Sequence, residues 1–368
     1  MGKKKIRNSS IELLRIVAMI LIVMHHYCIG SNFSFNTDIG IYQVLMEIFS
    51  FGGKIGVNIF VLIMGYFGIK NNFKIKKVFL LMMSVLFYSI LGLLLAYVFN
   101  CSISTKDLMN SIFPTLSSLY WFFTTYIIVY ILSPYINKFI NCLSKNEFLK
   151  ILFILLVLLS IIPVFTIFDL GFSNYAWFIF VYMTGAYIYK YINNINKKYL
   201  IISLISSLLI IFTSIVIFKT MSVKYSVLND YILYFAQQAS IFAFIASITL
   251  FLLFKDINIT PNKFINKIAG TTFGIYLFHS NKYLQNFLWN DFFIPSKWSN
   301  GPYLIFHFII SILIVFIIGI IIDSIKKYTY DKIVDKIYEC LRIKIKGTKL
   351  YIKFQNLFSN INKKEESL

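Results

Sequence analysis

The feature that most constrains this chain is a succession of apolar blocks, each about as long as a membrane is thick. Roughly 20 helical residues cross about 30 Å of hydrocarbon. Ten such blocks are legible: 10–29, 45–69, 77–99, 119–136, 148–168, 174–190, 199–218, 231–254, 269–289 and 303–322. Lipid cannot satisfy unpaired backbone groups, so these blocks are expected to be helices. Outer-membrane barrels read instead as short segments of alternating polarity. Composition agrees, with 58% hydrophobic and only 14% charged residues, where a soluble domain carries about a quarter charged. The expected fold class is all-α: a polytopic integral membrane protein of about ten transmembrane helices, with Pro163 placed to kink the fifth.

A formal net charge of +20 invites a nucleic-acid reading, but the distribution of the charge points elsewhere. With alternate loops taken as cytoplasmic from the N-terminus, 28 Lys and Arg residues fall on that side and six on the other. This is the positive-inside pattern. Two basic ends on one side require an even number of spans. The chain then divides into a cytoplasmic N-terminus (1–9), a ten-span membrane domain (10–322) and a basic cytoplasmic tail (323–368). The excess charge is expected to serve topology and contact with anionic lipid, not nucleic acid. Abundant Ile, Asn, Lys and Phe suggest an AT-rich bacterial genome, hence a bacterial cytoplasmic membrane.

The Lys-rich start precedes an apolar segment as in a signal peptide, but Glu12 and Arg15 interrupt that segment and no small-residue cleavage site follows. It reads as a retained first span. Cys28, Cys101, Cys142 and Cys340 form no CxxC pair and are expected to be unpaired thiols. In the tail, Ile333, Ile337, Leu341 and Ile345 recur every four residues among lysines. That pattern fits either an interfacial amphipathic helix or a solvated basic tail. Phe33, Phe35, Tyr42 and Phe49 are expected at interfacial level. No Walker loop, GxSxG, HExxH or DxD-type cluster occurs, and no metal site is expected.

Ionisable groups inside spans are costly and so point to function. The first span holds Glu12, Arg15, His25 and His26. Arginine is scarce, occurring at positions 7, 15 and 342, while lysine supplies generic positive charge. A guanidinium within a span therefore suggests a need for its fork of donors, which suits phosphate, carboxylate or carbonyl groups. His26 follows Arg15 by eleven residues, which returns it to within about 20° of the same helix face and about 16 Å along it. His25 falls about 80° away. Glu12 is placed to pair with Arg15. A histidine suits general-base work on a sugar hydroxyl, and His279 falls near mid-depth of the ninth block, able to face the same cavity. His307 reads as interfacial.

Several segments together resemble the bacterial acyltransferase 3 family of multi-spanning membrane acyltransferases, over roughly residues 8–322. The first span resembles the family's opening motif of an Arg, ten residues and a His, which places the family's catalytic pair on Arg15 and His26. GVNIFVLIMGYFG, Gly56 to Gly68, resembles the second-span motif, with Asn58 where the family has Asp and Met64 where it has Ser. KIKKVFLLMMSVLFYS resembles the basic turn that opens the third span, with Lys74, Lys76 and Lys77 where the family commonly has Arg. WFFTTYIIVYILSPYI, from Trp121, resembles the fourth-span pattern. FIFVYMTGAYIYKY resembles the Phe-rich segment around Gly185, and GTTFGIYLFH carries over Tyr276 and His279.

The resemblance implies transfer of an acyl group, usually acetyl from cytoplasmic acetyl-CoA, to a hydroxyl of an extracytoplasmic glycan. Lys74, Lys76, Lys77 and Arg15 would meet the donor's phosphates, Glu12 would stand beside Arg15, and Tyr276, His279, Asn58 and Trp121 would line the cavity. His26 would either deprotonate the acceptor hydroxyl or carry the acyl group transiently. Longer relatives append an extracytoplasmic hydrolase-like domain; this chain is expected to use a separate partner or none. A transporter or flippase of a lipid-linked glycan or acyl donor is the rival reading. A non-catalytic scaffold is a third, and would tolerate apolar replacements of Arg15 and His26.

Overall fold

Apolar blocks with no water to meet their backbone groups become helices, and every regular element among the described residues is helical. The computed structural model describes residues 7–31, 40–166, 173–298 and 301–346. Phe33, Phe35, the lysines of the first six residues and the tail beyond 346 lie outside them. α1 (Ser9–Gly30) begins at Asn8, whose side chain accepts from the Ser10 and Ile11 amides, meeting two donors that a first turn leaves unpaired. There follow α2 (Ile41–Ser50), α3 (Gly52–Gly68), α4 (Ile75–Val98), α5 (Thr105–Ile112), α6 (Trp121–Asn141), α7 (Lys145–Leu156), α8 (Ile162–Phe165), α9 (Asn174–Tyr191) and α10 (Lys197–Ser222). Then come α11 (Ile241–Lys255), α12 (Lys263–Ala269), α13 (Thr272–His279), α14 (Lys282–Asn286), α15 (Leu304–Tyr328) and α16 (Tyr330–Ile345).

Seven helical stretches among the described residues are long and apolar enough to cross a membrane. They correspond to the first, second, third, fifth, seventh, eighth and tenth of the expected blocks. The fourth and sixth blocks form α6 and α9, of 21 and 18 residues, whose tyrosines and other polar side chains make them less apolar. The ninth block corrects the expectation of one continuous helix: it is broken into α13, α14 and a π-helix over Phe287–Phe292.

Prolines shape two helices. Pro134 lies inside α6 and has no N–H for the Tyr130 carbonyl, which instead accepts from the Ser133 hydroxyl at 2.7 Å. In the fifth block the ladder widens to a π-helix over Val157–Ile161, just before Pro163, and stops at Phe165. This is the local distortion expected of Pro163.

α3 is the central helix, packed against α1, α9 and α11. Its small residues allow the close crossing, since a Cβ on Gly56 would strike the Ala18 carbonyl of α1. Tyr42 and Phe49 of the neighbouring α2 are partly buried, and Phe49 stacks on Phe308 of α15 at 4.6 Å. All four cysteines are unpaired.

Contacts between loops gather the basic segments at one end. Arg7 donates to the Asn266 carbonyl at 3.4 Å, Lys190 to the Asn141 side chain at 2.9 Å, and Lys327 to the Gly270 carbonyl at 2.6 Å. Lys255 reaches the Asn193 carbonyl. α15 continues past residue 322, turns at Thr329 and leads into α16, which packs back on α4. Ile333, Ile337 and Leu341 are exposed along one side of α16, as an interfacial helix requires; the side chain of Ile345 is outside the described set.

Away from that basic end, Lys219 of α10 meets Glu47 of α2 at 3.0 Å, both side chains 1% exposed. Removing one member of a buried ion pair strands the other in a medium that cannot solvate it. Glu47→Ala is expected to destabilise the detergent-solubilised protein by about 3 kcal/mol or more, read as a lower Tm. The double change Glu47→Leu with Lys219→Met is expected to recover most of the loss.

Candidate active site

α1 delivers both ends of the site. Glu12 and Arg15 pair one turn apart at 3.8 Å, and His26 lies eleven residues further along the helix. Arg15 and His26 open into different cavities. Arg15 lines one of about 730 Å³ at the basic end, and His26 lines one of about 410 Å³ beyond it. Phe122 and Tyr276 belong to the walls of both. Their rings meet edge to face at 5.3 Å, so two aromatic side chains form the partition.

The basic-end cavity carries five cations in its wall: Arg7, Arg15, Lys70, Lys74 and Lys77. Lys74 precedes the first turn of α4, and its amide donates to the Tyr130 hydroxyl oxygen at 3.4 Å. Lys77 rests over the Tyr130 ring at 4.4 Å. Lys76, on the same turn, points elsewhere. Its ammonium pairs with Asp335 at 2.7 Å and Glu339 at 2.9 Å of α16, and it does not line the cavity. Clustered cations in an aromatic-walled cavity suit a phosphate-bearing ligand with an apolar arm.

The His26 cavity owes its shape to the break after α13. Asn281 caps α14, its side-chain oxygen accepting from the Tyr283 amide at 3.0 Å. Its NH2 donates to the Tyr88 carbonyl at 3.1 Å and the Tyr120 hydroxyl at 2.7 Å. Tyr120 in turn donates to the Leu277 carbonyl at 3.1 Å. Asn281 fits only because Gly92 stands opposite, where a Cβ would fall inside its amide. Irregular backbone at membrane depth persists where protein groups satisfy it, and here they do.

The C-terminal end of α13 places Ser280 and His279 beside His26. The Ser280 oxygen lies 3.3 Å from His26 Nδ1 and 3.4 Å from His279 Nε2, and the two imidazole rings are 4.9 Å apart. His279 Nδ1 sits 2.6 Å from the Ile275 carbonyl. A carbonyl only accepts, so Nδ1 holds the His279 proton and Nε2 is bare. Both Ser280 contacts are then hydrogen bonds only if its hydroxyl donates to His279 and accepts from His26 Nδ1. This leaves His26 Nε2 with a free lone pair, the state of a general base. His25 lines the same cavity, but its Nδ1 donates to the Ser50 carbonyl at 2.7 Å.

The chain matches the family of the acyltransferase domain over residues 8–321. It belongs to the acyltransferase 3 family. No curated protein and no solved structure matches it. As a family member the chain is an acyltransferase of multi-pass membrane character.

Of the residues singled out from sequence, this family member gathers His26, Tyr276 and Trp121 around one cavity and Arg15, Lys74 and Lys77 around the other. His279 touches the first set through Ser280. Asn58 lines neither: it accepts from Trp177 Nε1 at 2.9 Å and donates to the Gln238 carbonyl at 3.0 Å, tying α3 to α9 and a distant loop. His307 Nδ1 lies 2.7 Å from the Tyr27 hydroxyl within an aromatic nest and lines neither cavity. Ser280, Asn281, Tyr120 and Phe122 escaped sequence reasoning, though the Ser-Asn pair after His279 is a helix stop-and-cap signal. Asn281→Leu is expected to cost about 2 kcal/mol or more by leaving the Tyr283 and Leu284 amides unmet, seen as a lower Tm together with lost transferase activity.

Proposed function

We propose that the chain transfers an acyl group, acetyl foremost, from a cytoplasmic acyl-CoA to a hydroxyl of a cell-surface or capsular polysaccharide. The transfer crosses a bacterial cytoplasmic membrane through a ten-span fold with both termini inside. One observation carries this reading: a cavity walled by five cations abuts a cavity walled by His26, across the shared side chains of Phe122 and Tyr276. Acyl transfer from a soluble cytoplasmic donor to an external acceptor calls for that arrangement.

The donor's phosphates bind Arg7, Lys70, Lys74, Lys77 and Arg15, and its pantetheine arm extends along α1 over the roughly 16 Å between Arg15 and His26. The acceptor hydroxyl donates to His26 Nε2. As its oxygen attacks the thioester carbonyl carbon, His26 takes the proton and becomes imidazolium. The C–S bond breaks, the CoA sulfur collects that proton, and an ester and a neutral His26 remain. Ser280 and His279 are positioning residues that hold the His26 tautomer.

His26→Ala is expected to lower polysaccharide esterification by at least about a hundredfold, seen by NMR as lost ester-shifted sugar protons with the protein still inserted. Retained esters would sink the assignment. Lys77→Ala is expected to raise KM for acyl-CoA more than Lys76→Ala, because α16 already engages Lys76. Ser280→Ala is expected to lower kcat at unchanged KM, with activity restored in part by Ser280→Thr.

A further inference from the structure

The His26 cavity has a neighbour. A second pocket of about 350 Å³ shares Lys54 and Trp121 with it and is completed by Asn174, Gln237 and Gln238. Trp121 opens α6 and is 38% exposed. The Lys54 ammonium lies 5.2 Å from the centre of its ring. A half-open indole face flanked by amides and a cation is chemistry that recognises sugars, with the ring stacking on C–H faces and the amides meeting hydroxyls.

The charge of this wall bears on its ligand. Asn58, itself held by Trp177, fixes the Gln238 backbone in the wall. Lys282, on the wall of the His26 cavity, is paired at 3.9 Å with Asp107. The Ser104 hydroxyl and amide hold that carboxyl below the usual carboxylate range, so it stays ionised. Lys54 has no carboxylate partner among the described residues. A neutral sugar leaves such a cation unmet; an anion satisfies it.

We infer that the acceptor glycan is anionic, with one sugar ring stacked on Trp121 and a carboxylate or phosphodiester on Lys54. This rests on the reading of the His26 cavity as the acceptor side. It extends that reading by naming the acceptor's chemistry and a specificity residue for it.

The test uses the full-length protein in lipid nanodiscs and three oligosaccharides of matched length: one containing uronic acid, one of glycerol phosphate repeats and one neutral glucan. At least one anionic probe is expected to bind about tenfold tighter than the glucan. That preference is expected to vanish in Lys54→Met, persist in Lys54→Arg, and weaken for all probes in Trp121→Ala. Which anionic probe binds separates carboxylate from phosphodiester recognition. Equal affinity for anionic and neutral probes, binding by neither anionic probe, or a preference that survives Lys54→Met overturns the inference. A parallel measurement of polysaccharide esters in cells separates the two readings. Ester loss in His26→Ala with none in Lys54→Met overturns the anionic-acceptor inference alone. Esters unchanged in His26→Ala overturn the acyl-transfer reading, whatever the probes bind.

Discussion

A polypeptide that breaks its helix inside a membrane frees carbonyls and amides with no water to receive them. In this chain Asn281 and Tyr120 receive them. Asn281 caps the amides that open α14, Tyr120 donates to the freed Leu277 carbonyl, and Asn281 ties itself to the Tyr120 hydroxyl and to the Tyr88 carbonyl of α4. The rest of the site depends on that small network. Because α13 stops at His279, Ser280 can turn towards α1 and bridge two imidazoles. Tyr276, one turn before the break, is left as the shared wall of two cavities.

The charges are organised with the same economy. Five cations face the basic-end cavity, while their neighbours are tied down elsewhere. Lys76 is engaged by Asp335 and Glu339, and Lys327 by Asp323, at 2.7 Å. Asp323 also accepts from the Tyr88 hydroxyl at 3.2 Å, so the residue that anchors α15 touches the helix whose carbonyl holds Asn281. The acidic side of α16 thus decides which cations of the α4 turn are available, and its apolar side is left outward. Buried Asp323 and the more exposed Asp335 and Glu339 neutralise lysines that the cavity does not use.

Much of this was legible in the sequence, and the limits are instructive. Periodicity and length are local properties, so the apolar blocks translate directly into helices. Helical geometry likewise placed Arg15 and His26 on one stripe about 16 Å apart, and three residues suffice to predict the Glu12–Arg15 pair. Loop charge is additive along the chain, which is why alternate loops could be assigned to one end before their contacts were known. The ninth block reads as continuous because hydropathy averages over a window, and the Ser280–Asn281 stop by itself scarcely moves the mean.

What sequence alone determined is the class: an all-helical membrane chain, basic at one end, with ionisable groups in its first span and a family resemblance spread over nearly all its spans. Tertiary structure decided what those groups do. Lys76 and Lys77 are adjacent in sequence yet one is spent on α16 and the other faces a cavity, because a 100° turn of helix sends neighbours to different partners. Asn58 occupies a family motif but braces two helices and a loop. Lys54, Trp121 and Gln238 come from three distant segments, and only packing makes them one wall. Chemistry that requires groups far apart in the chain to converge within a few ångströms cannot be read from any local window.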